Sequence, residues 1–270
     1  MRKEKTLKRP MTSFVILSNI IFWILLALTG ACMMLGAPEI LIFILPIIAA
    51  WSSTFSLMIL FKRIYPELRF KEFVKKQFKP KLRVSTLSIV VIIQVLIFTV
   101  TLFFIPSTNN SINFTLSVSG VGTLMFGFFT NLIRGPLGEE LGWRGFALNE
   151  LQKKHSPLMS ALIVGALWGF WHTPLWFLTS GYTGVNLIKY CVLFMIGIIS
   201  VTVIMTFFYN INKNLLVPII IHQLFNFLIF IINVVNLDIL LYTMVSYFIV
   251  AVILVVINPN RILFKNEKQT

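Results

Sequence analysis

Long apolar runs constrain this chain more than any other feature. Stretches near 11–36, 40–61, 84–106, 117–134, 158–180, 187–209, 215–236 and 238–258 are each extended enough to cross a bilayer core, which takes about 20 residues of helix. Inside hydrocarbon every backbone polar group needs an internal partner, and a helix supplies one locally. The expected fold is therefore all-α and polytopic, with about eight transmembrane helices, the fourth being the shortest. Apolar residues make up 57% of the 270, which leaves almost nothing for a water-soluble domain and excludes the disordered, collagen-like and disulfide-scaffold classes. No repeat, low-complexity tract or Pro/Gly/Ser linker divides the chain, so residues 1–270 are expected to form a single transmembrane domain, with the chemistry in a core at 134–236.

Charge orients the spans. Arg2, Lys3, Lys5, Lys8 and Arg9 precede the first run, an arrangement like a secretory signal; the run is too long for one and lacks a small-residue cleavage site, so it reads as a retained helix. With a cytoplasmic N-terminus, 22 of the 23 Lys and Arg fall on the inner side and only Lys189 outside, which places both termini in the cytoplasm under the positive-inside rule. The formal net charge of +14 is then a record of topology in a cell-membrane protein, and nucleic acid is not an expected partner. Lys62 to Arg83 holds nine of those cations with Phe70, Phe73, Val74 and Phe78 among them; it reads either as an interfacial helix on anionic lipid or as a solvated basic loop. Cys32 and Cys191 lie within apolar runs and read as packing residues.

Ionisable side chains in or beside spans are costly and point to function. They gather in three places. The first is Glu139-Glu140-Leu141-Gly142-Trp143-Arg144, after Gly135-Pro136, where a proline at the first helical position predicts a helix start. Glu140 and Arg144 stand i and i+4 with the acid first, the favourable order for an ion pair. Glu139 is left without a local partner, and an unpaired carboxylate in an apolar cavity suits a general base. The second is Trp168 to Pro174 around His172, about 22 Å of helix beyond the turn at Lys153–Pro157. Pro174 should break that helix and free carbonyls that are tolerated at depth only within protein or beside a watery cavity. The third is His222 and Asn226, i and i+4 on one helix face. His155, in a polar turn, reads as surface. Each place has a bland reading as well: a solvated helical turn, a hydrogen-bonded core histidine, interhelical polar glue. The depth of Glu139 counts differently from the two sides of the membrane, and a helix tilted or broken at Gly135-Pro136 would reconcile the counts.

A glutamate pair with an arginine five residues after the first, an aromatic four residues before a histidine, and His-x-x-x-Asn, in that order on multispan helices, resemble the CPBP family. These are the CAAX proteases and bacteriocin-processing (Abi) enzymes, intramembrane endopeptidases. The match covers Glu139 to Asn226, and where the family usually has Phe this chain has Trp168. The resemblance implies a conical intramembrane site open to the cytoplasm. It further implies that Glu139 activates water with help from His172, that His222 and Asn226 stabilise an oxyanion, and that Glu140 and Arg144 support the first motif. Trp168 keeps an aromatic wall. The substrate would be a membrane-associated peptide or protein. The same Glu139, His172 and His222 also suit a divalent metal such as zinc with one position left for water, and the absence of an H-E-x-x-H helix leaves that choice open. Two other classes stand beside the endopeptidase: a bacteriocin-immunity or scaffold protein of the same fold, and a transporter using intramembrane carboxylate and imidazole as a relay.

Overall fold

A computed structural model describes residues 7–104, 120–232 and 237–264. The apolar runs become helices, and no strand occurs among the described residues. They are α1 (Pro10–Met34), α2 (Glu39–Ala50), α3 (Ser52–Ile64), α4 (Phe70–Phe78), α5 (Val84–Phe104), α6 (Val121–Arg134), α7 (Pro136–Glu140), a wide-turned π segment (Leu141–Leu148), α8 (Asn149–Gln152), α9 (Pro157–Trp171), α10 (Thr173–Leu178), α11 (Gly184–Asn212), α12 (Leu216–Ile232) and α13 (Leu237–Ile257).

Four of them, α1, α5, α11 and α13, are long and apolar enough to cross a membrane alone. The other four runs depart from straight spans. The second is bent by 47° at Trp51, between α2 and α3, where Ser52-Ser53-Thr54 follows and hydroxyls offer the backbone alternatives to helical bonds. The fourth gives only the 14 residues of α6; Gly135 separates it from α7, so the break inferred from the depth counts is present. The fifth stops at Trp171 and resumes at Thr173, because Pro174 lacks the N–H that would continue the helix. The seventh gives the 17 residues of α12.

Helix α11 lies against α9, α12 and α13, while α1 packs on α2 and α3. Ile89, Ile92, Val95 and Leu96 of α5 point outward, as lipid-facing side chains do. Polar residues set the turns between these helices. Ser156 accepts a hydrogen bond from the Met159 N–H at 3.3 Å with Pro157 at the first helical position, starting α9. Asn214 Nδ2 donates to the carbonyls of Phe78 (3.1 Å) and Pro80 (2.6 Å), tying the α11–α12 turn to the end of α4.

Helix α4 answers the basic-segment question. It is helical, but Phe73 is buried with its ring 5.5 Å from Phe61 and 5.8 Å from Tyr65. Part of its apolar face is spent on protein, while Lys71, Lys75 and Lys76 are exposed. His155 is exposed as expected, and both cysteines are unpaired and half-buried.

Candidate active site

The break at Gly135 builds the first wall. A Cβ on Gly135 would lie 2.8 Å from Asn226 Nδ2 and 3.5 Å from His222 Nε2, so the missing side chain lets the polar face of α12 reach the backbone before α7. His222 and Asn226 thus address one point, as their spacing predicts. The helix that follows is held from the bent second run. Ser53 Oγ donates to the carbonyls of Gly138 (3.3 Å) and Glu139 (3.1 Å), and Thr54 Oγ1 donates to Gly138 at 2.7 Å. Helical turns widen to π form at Leu141–Leu148, an irregularity often found at functional sites, and these hydroxyls satisfy carbonyls next to it.

Glu140 and Arg144 are fully buried and pair at 2.9 Å. The same Glu140 Oε1 accepts from His222 Nδ1 at 2.7 Å, and Arg144 Nη2 donates to Thr202 Oγ1 of α11 at 2.9 Å. One carboxylate therefore locks α7, the π segment and α12 together. Glu139 differs. It is buried, and its Oε2 accepts from the indole Nε1 of Trp168 at 2.7 Å. It has a partner after all, supplied from 29 residues away on α9.

Both imidazoles are oriented through Nδ1. His172 Nδ1 lies 2.7 Å from the Trp168 carbonyl; a carbonyl only accepts, so Nδ1 carries the proton and Nε2 of the neutral ring is an acceptor. His222 Nδ1 faces the Glu140 carboxylate, so its Nε2 donates only when the ring is doubly protonated. The Asn226 amide donates in any state. A cavity of about 330 Å³ is lined by Glu139, Trp168, His172, His222 and Asn226, with Asn131, Arg134 and apolar side chains from α1, α11 and α13.

All four residues assigned to chemistry thus reach one cavity; of the residues assigned to support, Glu140 and Arg144 stand behind them and Trp168 lines the cavity with them. The zinc alternative fits less well. Among the described residues no group of three or more His, Cys, Asp and Glu is arranged to hold a metal ion; Glu139, His172 and His222 share a cavity without forming a ligand set. Sequence reasoning missed Ser53, Thr54 and Thr202. Their signal was present as hydroxyls inside apolar runs, Ser52-Ser53-Thr54 and Ser200 to Thr206. It also took Trp168 for a wall, whereas it is a hydrogen-bond donor.

Comparison with known proteins places the same segment. Residues 121–228 match the family described as Type II CAAX prenyl endopeptidase Rce1-like. A relative named CAAX prenyl protease 2, from Methanococcus maripaludis, is 35% identical over 92 residues, which cover 33% of this chain and 34% of that protein. The similarity thus spans about a third of the relative's length.

Proposed function

We propose that this membrane protein, whose residues 121–228 match the Type II CAAX prenyl endopeptidase Rce1-like family, is an intramembrane endopeptidase that cleaves membrane-associated peptides or proteins with a water activated by Glu139. The observation that carries the proposal is the single cavity shared by Glu139, His172, His222 and Asn226 within the matched segment.

Peptide hydrolysis needs a proton acceptor for water and donors for the developing oxyanion. Glu139 Oε2 is held by Trp168, which leaves Oε1 for a cavity water, and His172 Nε2 is a second acceptor that orients it. Once the water attacks the carbonyl carbon, Glu139 takes its proton and delivers it to the leaving amine as the C–N bond breaks. Asn226 Nδ2 donates to the oxyanion, and His222, whose Nδ1 is held 2.7 Å from the Glu140 carboxylate, donates from Nε2 when doubly protonated. Arg144, paired with Glu140 at 2.9 Å, holds that carboxylate in place. The apolar side chains in the cavity lining lower the local dielectric, which strengthens each of these interactions.

The test uses purified full-length protein in lipid nanodiscs and two internally quenched peptides, one with a prenylated C-terminal CAAX sequence and one with the same sequence and no prenyl group. Cleavage of the prenylated probe, abolished in Glu139→Gln and unaffected by a zinc chelator, is the expected result. Equal cleavage by Glu139→Gln would remove the carboxylate from the mechanism, and loss of activity on chelation with recovery on added zinc would return the metal reading.

A further inference from the structure

Trp168 touches four groups of the site: Glu139, His172, Arg144 and His222. Its indole N–H donates to Glu139 Oε2 at 2.7 Å, and its carbonyl accepts from His172 Nδ1 at 2.7 Å. The Arg144 guanidinium carbon lies 4.0 Å from its ring centroid, and the rings of His222 and His172 meet it edge-on at 4.9 and 5.4 Å. The side chain is 1% exposed, so solvent cannot replace the indole donor. A phenylalanine would keep an aromatic wall and the backbone carbonyl but lose part of the ring together with the N–H, whereas a benzothienyl side chain would lose only the N–H.

Resting on the endopeptidase reading, we infer that Trp168 is a positioning residue: its indole N–H clamps one oxygen of Glu139, so that the other is presented to the water as the proton acceptor. The physical reason is the geometry of a carboxylate. A glutamate side chain has three rotatable bonds, and proton abstraction requires one lone pair aimed at the water within hydrogen-bond reach. Among the described residues the Glu139 side chain makes no hydrogen bond other than the one to Trp168. An indole N–H donates and cannot accept, so it holds a carboxylate oxygen in one sense only. The chain thereby couples two elements: the same residue that aims the α7 carboxylate fixes the imidazole at the α9 break through its backbone. Substrate binding does not depend on the N–H, because the carboxylate it holds acts on the water.

The experiment compares wild type, Trp168→Phe and a protein with 3-benzothienylalanine at 168, in which sulfur replaces the N–H of an otherwise isosteric ring, on the prenylated quenched peptide in nanodiscs. Loss of a hydrogen bond to a charged acceptor should lower kcat by about 10- to 100-fold, with KM within about twofold of wild type and the thermal midpoint unchanged in the benzothienyl protein. Should Trp168→Phe lose folding, the benzothienyl protein decides. Wild-type kcat in that protein overturns the inference, and so does a parallel change in KM and thermal midpoint, which would mark a packing role. If Glu139→Gln is inactive while the benzothienyl protein is fully active, the clamp fails and the endopeptidase reading stands; if Glu139→Gln is itself active, the reading beneath it fails.

Discussion

Adjacent glutamates in one motif hold opposite kinds of position. Glu140 is fully buried and is shared by Arg144 and His222 through one oxygen, whereas Glu139 lines the cavity with one oxygen not hydrogen-bonded to protein. Their substitutions should fail differently. Glu139→Gln keeps size and removes the basic oxygen, so turnover should fall by at least about 10²-fold with expression and thermal midpoint near wild type. Glu140→Gln leaves a buried guanidinium without its counter-charge, a defect worth about 3–5 kcal/mol, so thermal stability in detergent should fall together with activity. Peptide turnover and thermal unfolding on both purified variants check this. A well-folded, inactive Glu140→Gln beside an active Glu139→Gln would exchange the roles.

At the scale of elements, the breaks are what build the site. Gly135, the π segment and the interruption at His172 each end a regular helix where a side chain must reach the cavity, and the bend at Trp51 brings the Ser53 and Thr54 hydroxyls to the carbonyls of α7. This contact demands close approach. A Cβ on Gly138 would stand 2.7 Å from Trp51 Cδ1 and 2.9 Å from the Ala50 carbonyl oxygen, and backbone cannot yield as a flexible side chain does. Gly138→Ala should cost about 1–3 kcal/mol through overpacking and lower the thermal midpoint by several degrees. Gly122, in α6, has no heavy atom within 4 Å of its built Cβ, so Gly122→Ala should leave the midpoint unchanged or slightly raised. Equal midpoints for the two variants would show that the bend at Trp51 and α7 do not pack this closely.

On the scale of the whole molecule the apolar exterior and the cation distribution belong together. Four long helices expose apolar side chains around the bundle, and 22 of 23 Lys and Arg fall in segments that the proposed topology assigns to the cytoplasm. Reporter fusions at 75 and 212 are expected to read as cytoplasmic, and fusions after 110 and 183 as external; position 110 lies outside the described residues. An external reading at 75 would invert the orientation and put the cavity's supporting turns on the opposite side.

Much of this was legible in the linear order of residues, for a definable reason. Hydrophobic runs imply helices because lipid offers the backbone no other partner, and the pairs Glu140–Arg144 and His222–Asn226 follow from the helical repeat, which holds within one element regardless of its surroundings. Even the break at Gly135-Pro136 could be inferred, since proline and glycine act locally. What spacing cannot express is how one helix is rotated against another. That rotation is set by side-chain packing across the bundle, and it alone gives Glu140 to His222, Arg144 to Thr202 and the Trp168 indole to Glu139. The sequence by itself determined a helical membrane protein and which residues are candidates for its chemistry; only the tertiary structure decided which oxygen of which glutamate is held by another helix, because that choice belongs to contacts between helices far apart in the chain.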